Sequence, residues 1–144
     1  MYKNPVVAAT YEPGSTFKVF TMSGALDGGV VEPDTRCDIC GGPIDIGEFT
    51  IRTWNKKYYK DTTMLEVIEH SDNTGMVFVG RKLGLDKLYA YLESFGIGQR
   101  TGIDLQEEES PQLRPKSQWR QIDLATASFG QGVAVTPIQM VRAV

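Results

Sequence analysis

Apolar positions in this chain fall into short stripes separated by glycine-punctuated polar stretches, which predicts several short helices joined by long loops. Pro13 stops anything upstream from running through, and Ser15 suits a first-turn position. The first helix is therefore expected to open at Gly14-Ser15 and to end at Gly28-Gly29, with Val19, Met22 and Leu26 as its buried stripe. Residues 30–60 are broken by Pro33, Gly41, Gly42, Pro43 and Gly47, and Phe49 and Ile51 alternate with polar neighbours as in a short strand.

Thr63-Met64-Leu65-Glu66 has capping-box spacing, so a helix should start there, turn Leu65 and Ile68 inward and stop near His70. Another is predicted from about Asn73, carrying Val77 to Leu83 before Gly84 ends it. Asp86 is expected to cap a third, with Leu88, Tyr91, Leu92 and Phe95 inside and Gly96 closing it. Residues 96–116 read as loop, with Glu107-Glu108-Glu109 a solvated acidic turn. Ser117 is the expected cap of a helix through Ala127, broken by Gly130 and Gly132. Thr136-Pro137 is a strong start signal for a last helix, with Ile138 and Val141 on one face. That pattern reaches Val144 without a stop signal, so the segment is expected to be part of a larger domain.

Composition narrows the function classes. With 144 residues, 41% apolar and 23% charged, the chain has the balance of one globular domain. A net charge of −3, with both signs mixed along the chain, lacks the basic field that nucleic-acid binding needs, so no nucleic-acid partner is expected. No apolar run approaches the ~18 residues of a membrane span, and any membrane tether is expected outside these residues. Cys37 and Cys40 have C-x-x-C spacing, and no second pair completes a four-ligand zinc set. A disulfide or two thiols pinning a Gly/Pro-rich loop is expected, with no metal and no cofactor.

Two short motifs carry chemistry. In Ser15-Thr16-Phe17-Lys18 a hydroxyl and an amine lie three residues apart, one turn on one face of a helix. A serine hydroxyl needs a base to become a nucleophile, and lysine serves only when desolvation or a neighbouring cation lowers its affinity for protons. A helix start adds a partial positive field that favours a developing oxyanion. Ser71-Asp72-Asn73 falls between two predicted helices, where a loop can aim side chains into a cleft. Its first hydroxyl suits a proton relay, and the Asn73 amide suits holding Lys18 and a substrate carbonyl. By itself each motif also fits a plain helix cap.

Together, in this order, the motifs are the first two signatures of the penicillin-recognising serine acyltransferases. Tyr11-Glu12-Pro13-Gly14-Ser15-Thr16-Phe17-Lys18 resembles the form typical of the monofunctional, class B penicillin-binding proteins. So do Phe95-Gly96-Ile97-Gly98, Thr101-Gly102-Ile103-Asp104-Leu105, Ser128-Phe129-Gly130-Gln131-Gly132 and Val135-Thr136-Pro137-Ile138-Gln139-Met140. The resemblance runs from about Asn4 to Val144. It implies an α+β transpeptidase fold, a five-stranded sheet flanked by helices, of which this chain is mainly the helical subdomain with short hairpin elements.

The resemblance further implies a peptidoglycan D-Ala-D-Ala transpeptidase. Ser15 would be the acylated nucleophile, Lys18 its general base, Ser71 the proton relay and Asn73 a substrate-amide contact, with no catalytic role for Asp72. Expected partners are peptidoglycan stem peptides and β-lactam antibiotics. The parent is expected on the extracytoplasmic face of the bacterial membrane, with a tether and cell-wall synthesis partners. The family's third motif, a Lys-Ser/Thr-Gly triplet that supplies an oxyanion-hole N–H, is absent from these residues, since Pro115-Lys116-Ser117-Gln118 lacks the glycine. Residues 1–144 are thus expected to be a partial transpeptidase domain. The rivals are a class A β-lactamase, whose Glu-x-x-Leu-Asn pattern does not occur, a β-lactam sensor domain, and a catalytically inert helical fragment.

Overall fold

The computed structural model describes residues 3–144. After α1 (Pro5–Ala8), a 3-10 turn at Gly14–Phe17 runs straight into α2 (Lys18–Asp27). The excursion that follows holds the antiparallel hairpin β1 (Ile44–Ile46) and β2 (Phe49–Ile51), paired Ile44 to Ile51 and Ile46 to Phe49. Then come α3 (Met64–Glu69), α4 (Asn73–Leu83) and α5 (Leu85–Ser94), a 3-10 turn at Lys116–Gln118, α6 (Gln121–Ala127) and α7 (Pro137–Ala143).

α4 is the axis of the structure, packing against α2, α3, α5 and α6. Most of its residues, from Thr74 to Gly80 and Leu83, are buried, and the exposed Arg81 and Lys82 fall in its last turn. One core cluster joins it to α2, α3 and the excursion through Met22, Val31, Ile44, Met64, Val67 and Met76. A second joins the first 3-10 turn, α2 and α5 to residues 119–135 through Phe17, Phe20, Leu88, Leu92 and Val135. Cys37 and Cys40 are disulfide-bonded with Cα atoms 5.6 Å apart, and both are buried in the first cluster.

The structure corrects several expectations of which face is buried. On α2, Met22 is inside, but Val19 and Leu26 are 46% and 42% exposed. This helix is wedged between the two clusters and buries Lys18, Phe20, Thr21 and Ala25 besides Met22, a set that no apolar stripe describes. On α3, Leu65 and Ile68 are exposed, while Met64 and Val67 face the core. The Thr63 cap sets that register, because the first residue after the cap is the one that turns inward.

Asp86 is not a cap: α5 begins at Leu85, and the Asp86 carboxylate pairs with Lys116 Nζ at 2.7 Å. α6 begins at Gln121 and not at Ser117, which lies in the second 3-10 turn. Its first-turn carboxylate, Asp123, accepts from Arg120 N at 2.7 Å and from Arg114 Nη2 at 2.6 Å. On α7, Val141 is exposed and the buried residue is Gln139, whose amide donates to Gln99 O at 2.8 Å. Glu108 is not solvated either, being 8% exposed and accepting from Thr101 N at 2.5 Å and Thr101 Oγ1 at 2.7 Å.

Candidate active site

Ser15 and Lys18 stand where a 3-10 turn becomes an α-helix. In 3-10 geometry side chains three apart eclipse one another, which brings the serine and the lysine to one side of the chain. The turn is clamped by residues 130–135. Tyr11 and Val135 exchange backbone hydrogen bonds of 2.9 Å, Gly14 N donates to Gly130 O at 2.9 Å, and Gly132 N donates to Glu12 Oε1 at 3.1 Å. Gly130 has φ +81°, and a Cβ there would lie 2.2 Å from Gly14 O, so only glycine lets the clamp close. Ser15 is exposed and Lys18 is buried, at 3% exposure.

Burial is what tunes the lysine. Desolvation lowers its pKa from 10.5 to about 8, against a smaller upward pull from the Asp72 charge. A cation at the N-terminus of α2 also meets the positive end of the helix dipole. The amine donates to Ser71 O at 2.6 Å and Ser71 Oγ at 2.9 Å. Once neutral, a lysine amine has two N–H bonds. Ser71 can accept both, which leaves the lone pair free to receive a proton.

Ser71 can do this because of how α3 stops. His70 is the C-cap, Ser71 N donates to Ile68 O at 3.1 Å and Asp72 N to Val67 O at 2.9 Å. This is a Schellman ending, whose hinge takes the left-handed conformation that glycine adopts most cheaply. Here the hinge is Ser71, with φ +52°. A non-glycine residue in that region costs roughly 1–2 kcal/mol. The same geometry turns the carbonyl and the hydroxyl of one residue onto Lys18.

Of the four expected site residues, then, the structure joins Lys18 to Ser71 directly. Ser15 lies one turn before Lys18, and among the described residues no hydrogen bond links the two side chains. Among the described residues no hydrogen bond joins Asn73 to Lys18: the Asn73 amide donates to Arg52 O at 3.0 Å. The sequence reading missed the segment that receives it. Residues 52–59 dock beside the second motif, with Trp54 Nε1 donating to His70 O at 3.4 Å and the Tyr59 ring stacked on His70 at 4.4 Å. The aromatic residues of an otherwise polar loop were the available signal. Among the described residues no cluster of His, Cys, Asp and Glu has metal-binding proximity, and no helix is long and apolar enough to cross a membrane.

Comparison with known proteins gives a consistent picture. Residues 1–144 match the family model described as the penicillin binding protein transpeptidase domain. Stage V sporulation protein D of Bacillus subtilis is 42% identical over 142 residues, which cover 99% of this chain and 22% of that protein. The probable peptidoglycan D,D-transpeptidase FtsI of Caulobacter vibrioides is 32% identical over 140 residues, covering 97% of this chain and 23% of that protein. This chain thus spans about a quarter or less of these relatives. Among solved structures, the transpeptidase domain of Burkholderia pseudomallei penicillin-binding protein 3 superposes with a TM-score of 0.91 at 30% identity, covering 98% of this chain and 42% of that one.

Proposed function

The chain belongs to the penicillin-binding protein transpeptidase family, with its α+β fold, and from that premise we propose that it carries the nucleophile side of a peptidoglycan D,D-transpeptidase. Ser15 is the nucleophile and Lys18 the base. The Lys18 lone pair takes the Ser15 proton as Oγ attacks the carbonyl of a D-Ala-D-Ala peptide bond on a stem peptide. The proton then passes from the Lys18 ammonium through Ser71 Oγ to the departing nitrogen, and D-alanine leaves an acyl-serine. An amine from a second stem takes the acyl group in the reverse sequence of proton transfers. General acid–base relays of this kind contribute roughly 10²–10⁴-fold in rate.

The observation that carries this reading is the double contact of the Lys18 amine with Ser71, made by a serine held at a helix-ending hinge. The Asn73 amide spends one N–H on Arg52 O, and its other N–H is proposed to meet the substrate peptide. β-Lactams present a strained analogue of the same peptide bond and would acylate Ser15. In the parent protein the domain is proposed to work at the extracytoplasmic face of the bacterial membrane, held by a tether and acting with cell-wall synthesis partners.

A labelling experiment tests the assignment. In a protein that carries this segment together with a Lys-Ser/Thr-Gly triplet, a fluorescent penicillin should leave its adduct on the peptide containing Ser15, and Ser15→Ala should not label. An adduct mapped elsewhere, or labelling retained by Ser15→Ala, would refute it.

A further inference from the structure

The second motif contains a residue that helix capping alone does not explain. Asp72 is the N-cap of α4, and a single oxygen does all the capping. Oδ1 accepts from Thr74 N at 2.7 Å, Thr74 Oγ1 at 2.7 Å and Gly75 N at 3.2 Å. The other oxygen, Oδ2, is buried with no hydrogen-bond partner among the described residues. A cap needs one acceptor, and asparagine or serine supplies it as well as aspartate does. Burying a charged carboxylate with one oxygen unmet costs free energy unless an opposite charge offsets it. That opposite charge is close by. Ser71, the preceding residue, holds the Lys18 amine with both of its oxygens, and Lys18 and Asp72 are 3% and 2% exposed.

We propose that Asp72 is a positioning residue for Lys18: its carboxylate is the buried negative charge against which the amine takes up and gives back its proton. The two groups make no direct ion pair, so the influence acts through the low-dielectric interior around Ser71. Among the described residues Asp72 is the charge that acts on the Lys18 amine. In the loop beside the motif Arg52, Lys56 and Lys57 are exposed, in the clamp Glu12 accepts from Gly132 N, and on α6 Asp123 is bonded to Arg114 and Arg120. From α3, the Glu66 carboxylate is engaged by Thr63, Glu69 is exposed, and His70 is stacked against Tyr59. On α4, Arg81 and Lys82 lie in the last turn, about 12 Å along the axis from Asn73. From α5, Tyr91 is bonded to Asp27 at the far end of α2, about 13 Å from Lys18 along that helix. Burial pushes the Lys18 amine toward neutrality and Asp72 pulls it back. The carboxylate thus keeps the proton from being shed too readily to be relayed onward.

The test uses Asp72→Asn, which keeps the shape and the capping acceptor, removes the charge and puts an amide NH2 in place of Oδ2. Lys18 is followed in the 144-residue chain by NMR of its labelled terminal methylene across the pH range. The Lys18 midpoint should fall by roughly one pH unit in the variant, as expected on losing a nearby opposite charge. A folded Asp72→Asn whose Lys18 midpoint is unchanged or higher overturns the proposal, even if its melting temperature drops, because a purely structural cap would affect stability alone. If the asparagine variant does not fold, Asp72→Ser caps with a hydroxyl and carries the same prediction. The kinetic consequence rests on the reading of Lys18 as base, and a second measurement separates the two. In a protein with the Lys-Ser/Thr-Gly triplet, the pH midpoint of β-lactam acylation should move down with the Lys18 midpoint. If Lys18 shifts and acylation does not, the Asp72 assignment stands and Lys18 is not the base.

Discussion

α3 and α5 leave their last turns by the same route. At the end of α5, Gly96 N donates to Glu93 O at 2.9 Å and Ile97 N to Leu92 O at 3.0 Å, with Gly96 at φ +77°. At the end of α3 the corresponding bonds are Ser71 N to Ile68 O at 3.1 Å and Asp72 N to Val67 O at 2.9 Å, with Ser71 at φ +52°. One end has glycine at the hinge, and the residue after it, Ile97, is simply buried in the core. The other has serine, which pays for its conformation, and the residue after it caps α4. No backbone requirement separates the two. What differs is that the Ser71 side chain and carbonyl are in use, both on Lys18. Strain tolerated at one of two equivalent hinges marks where side-chain chemistry outweighs backbone comfort.

The hardest way to break this comparison is to make the two ends alike. Ser71→Gly should relieve the hinge and raise stability by about 1 kcal/mol in chemical denaturation. The same change removes the hydroxyl proposed as relay, and β-lactam acylation of a triplet-bearing parent should fall by roughly 10²-fold or more. A variant that is both more stable and fully active would mean that the serine is incidental.

The next test addresses the charge that only the α3 end faces. Lys18 holds its proton less tightly folded than unfolded, from an ordinary 10.5 down to about 8. Between those pH values the unfolded chain binds the extra proton, so folding stability rises with pH through that window. Below about pH 8 the lysine is charged in both states and the full cost of burying it is present. Relative to Lys18→Met, the wild type should therefore gain up to about 3 kcal/mol between pH 7 and pH 10.5 in urea denaturation. A constant difference across that range would show that the amine is not desolvated.

The reverse exchange should be milder. Gly96→Ser places a side chain at φ +77°, with its Cβ 3.1 Å from the Arg142 guanidinium carbon. Arg142 is exposed and anchored by one hydrogen bond, from Nη1 to Arg100 O at 2.8 Å. A small shift of its guanidinium accommodates the new Cβ, so the expected loss is mostly the conformational cost, about 1–2 kcal/mol. Acylation should be unchanged, since nothing at that hinge touches Lys18.

Much of this was legible in the chain itself, for identifiable reasons. Helix boundaries set by local chemistry were readable, as at Thr63, Asn73, Gly96 and Thr136-Pro137, because caps and hinges use few residue types at fixed offsets. Faces set by tertiary contacts were not. The α2 stripe failed because that helix buries a lysine and a threonine between two cores, and Leu65 and Ile68 failed because α3 is too short for periodicity to outvote its cap. At the candidate site, the order and spacing of the two motifs anticipated that Lys18 and the Ser71 loop would meet, and they do. The turn of Asn73 toward Arg52 was not readable, since it depends on a loop about twenty residues upstream docking beside the motif. Asp72 was passed over because its burial and its unmet oxygen exist only once α4 is packed.

The smallest expected effect lies at the opposite end of α3, and it asks whether the serine hinge depends on the helix before it. Thr63 and Glu66 form a reciprocal box: Glu66 N donates to Thr63 Oγ1 at 3.3 Å, and the Glu66 carboxylate accepts from Thr63 N at 2.7 Å and Thr63 Oγ1 at 2.9 Å. Removing the hydroxyl in Thr63→Ala should cost about 1 kcal/mol. Acylation should change little, because Ser71 is fixed by its own two hinge bonds and by Lys18. The box also has a pH signature. Hydrogen bonds from Thr63 hold the Glu66 carboxyl below the ordinary carboxylate range. Its contribution is therefore present above the unfolded-state pKa and disappears as pH falls through the lower folded value. The wild type gives up more than Thr63→Ala on acidification, since the variant has already lost the hydroxyl arm of the box. The stability gap between them should accordingly narrow from pH 6 toward pH 3 in denaturant titrations. A gap that stays constant, or acylation that collapses in Thr63→Ala, would tie the hinge to the whole of α3 and end its equivalence with the α5 end.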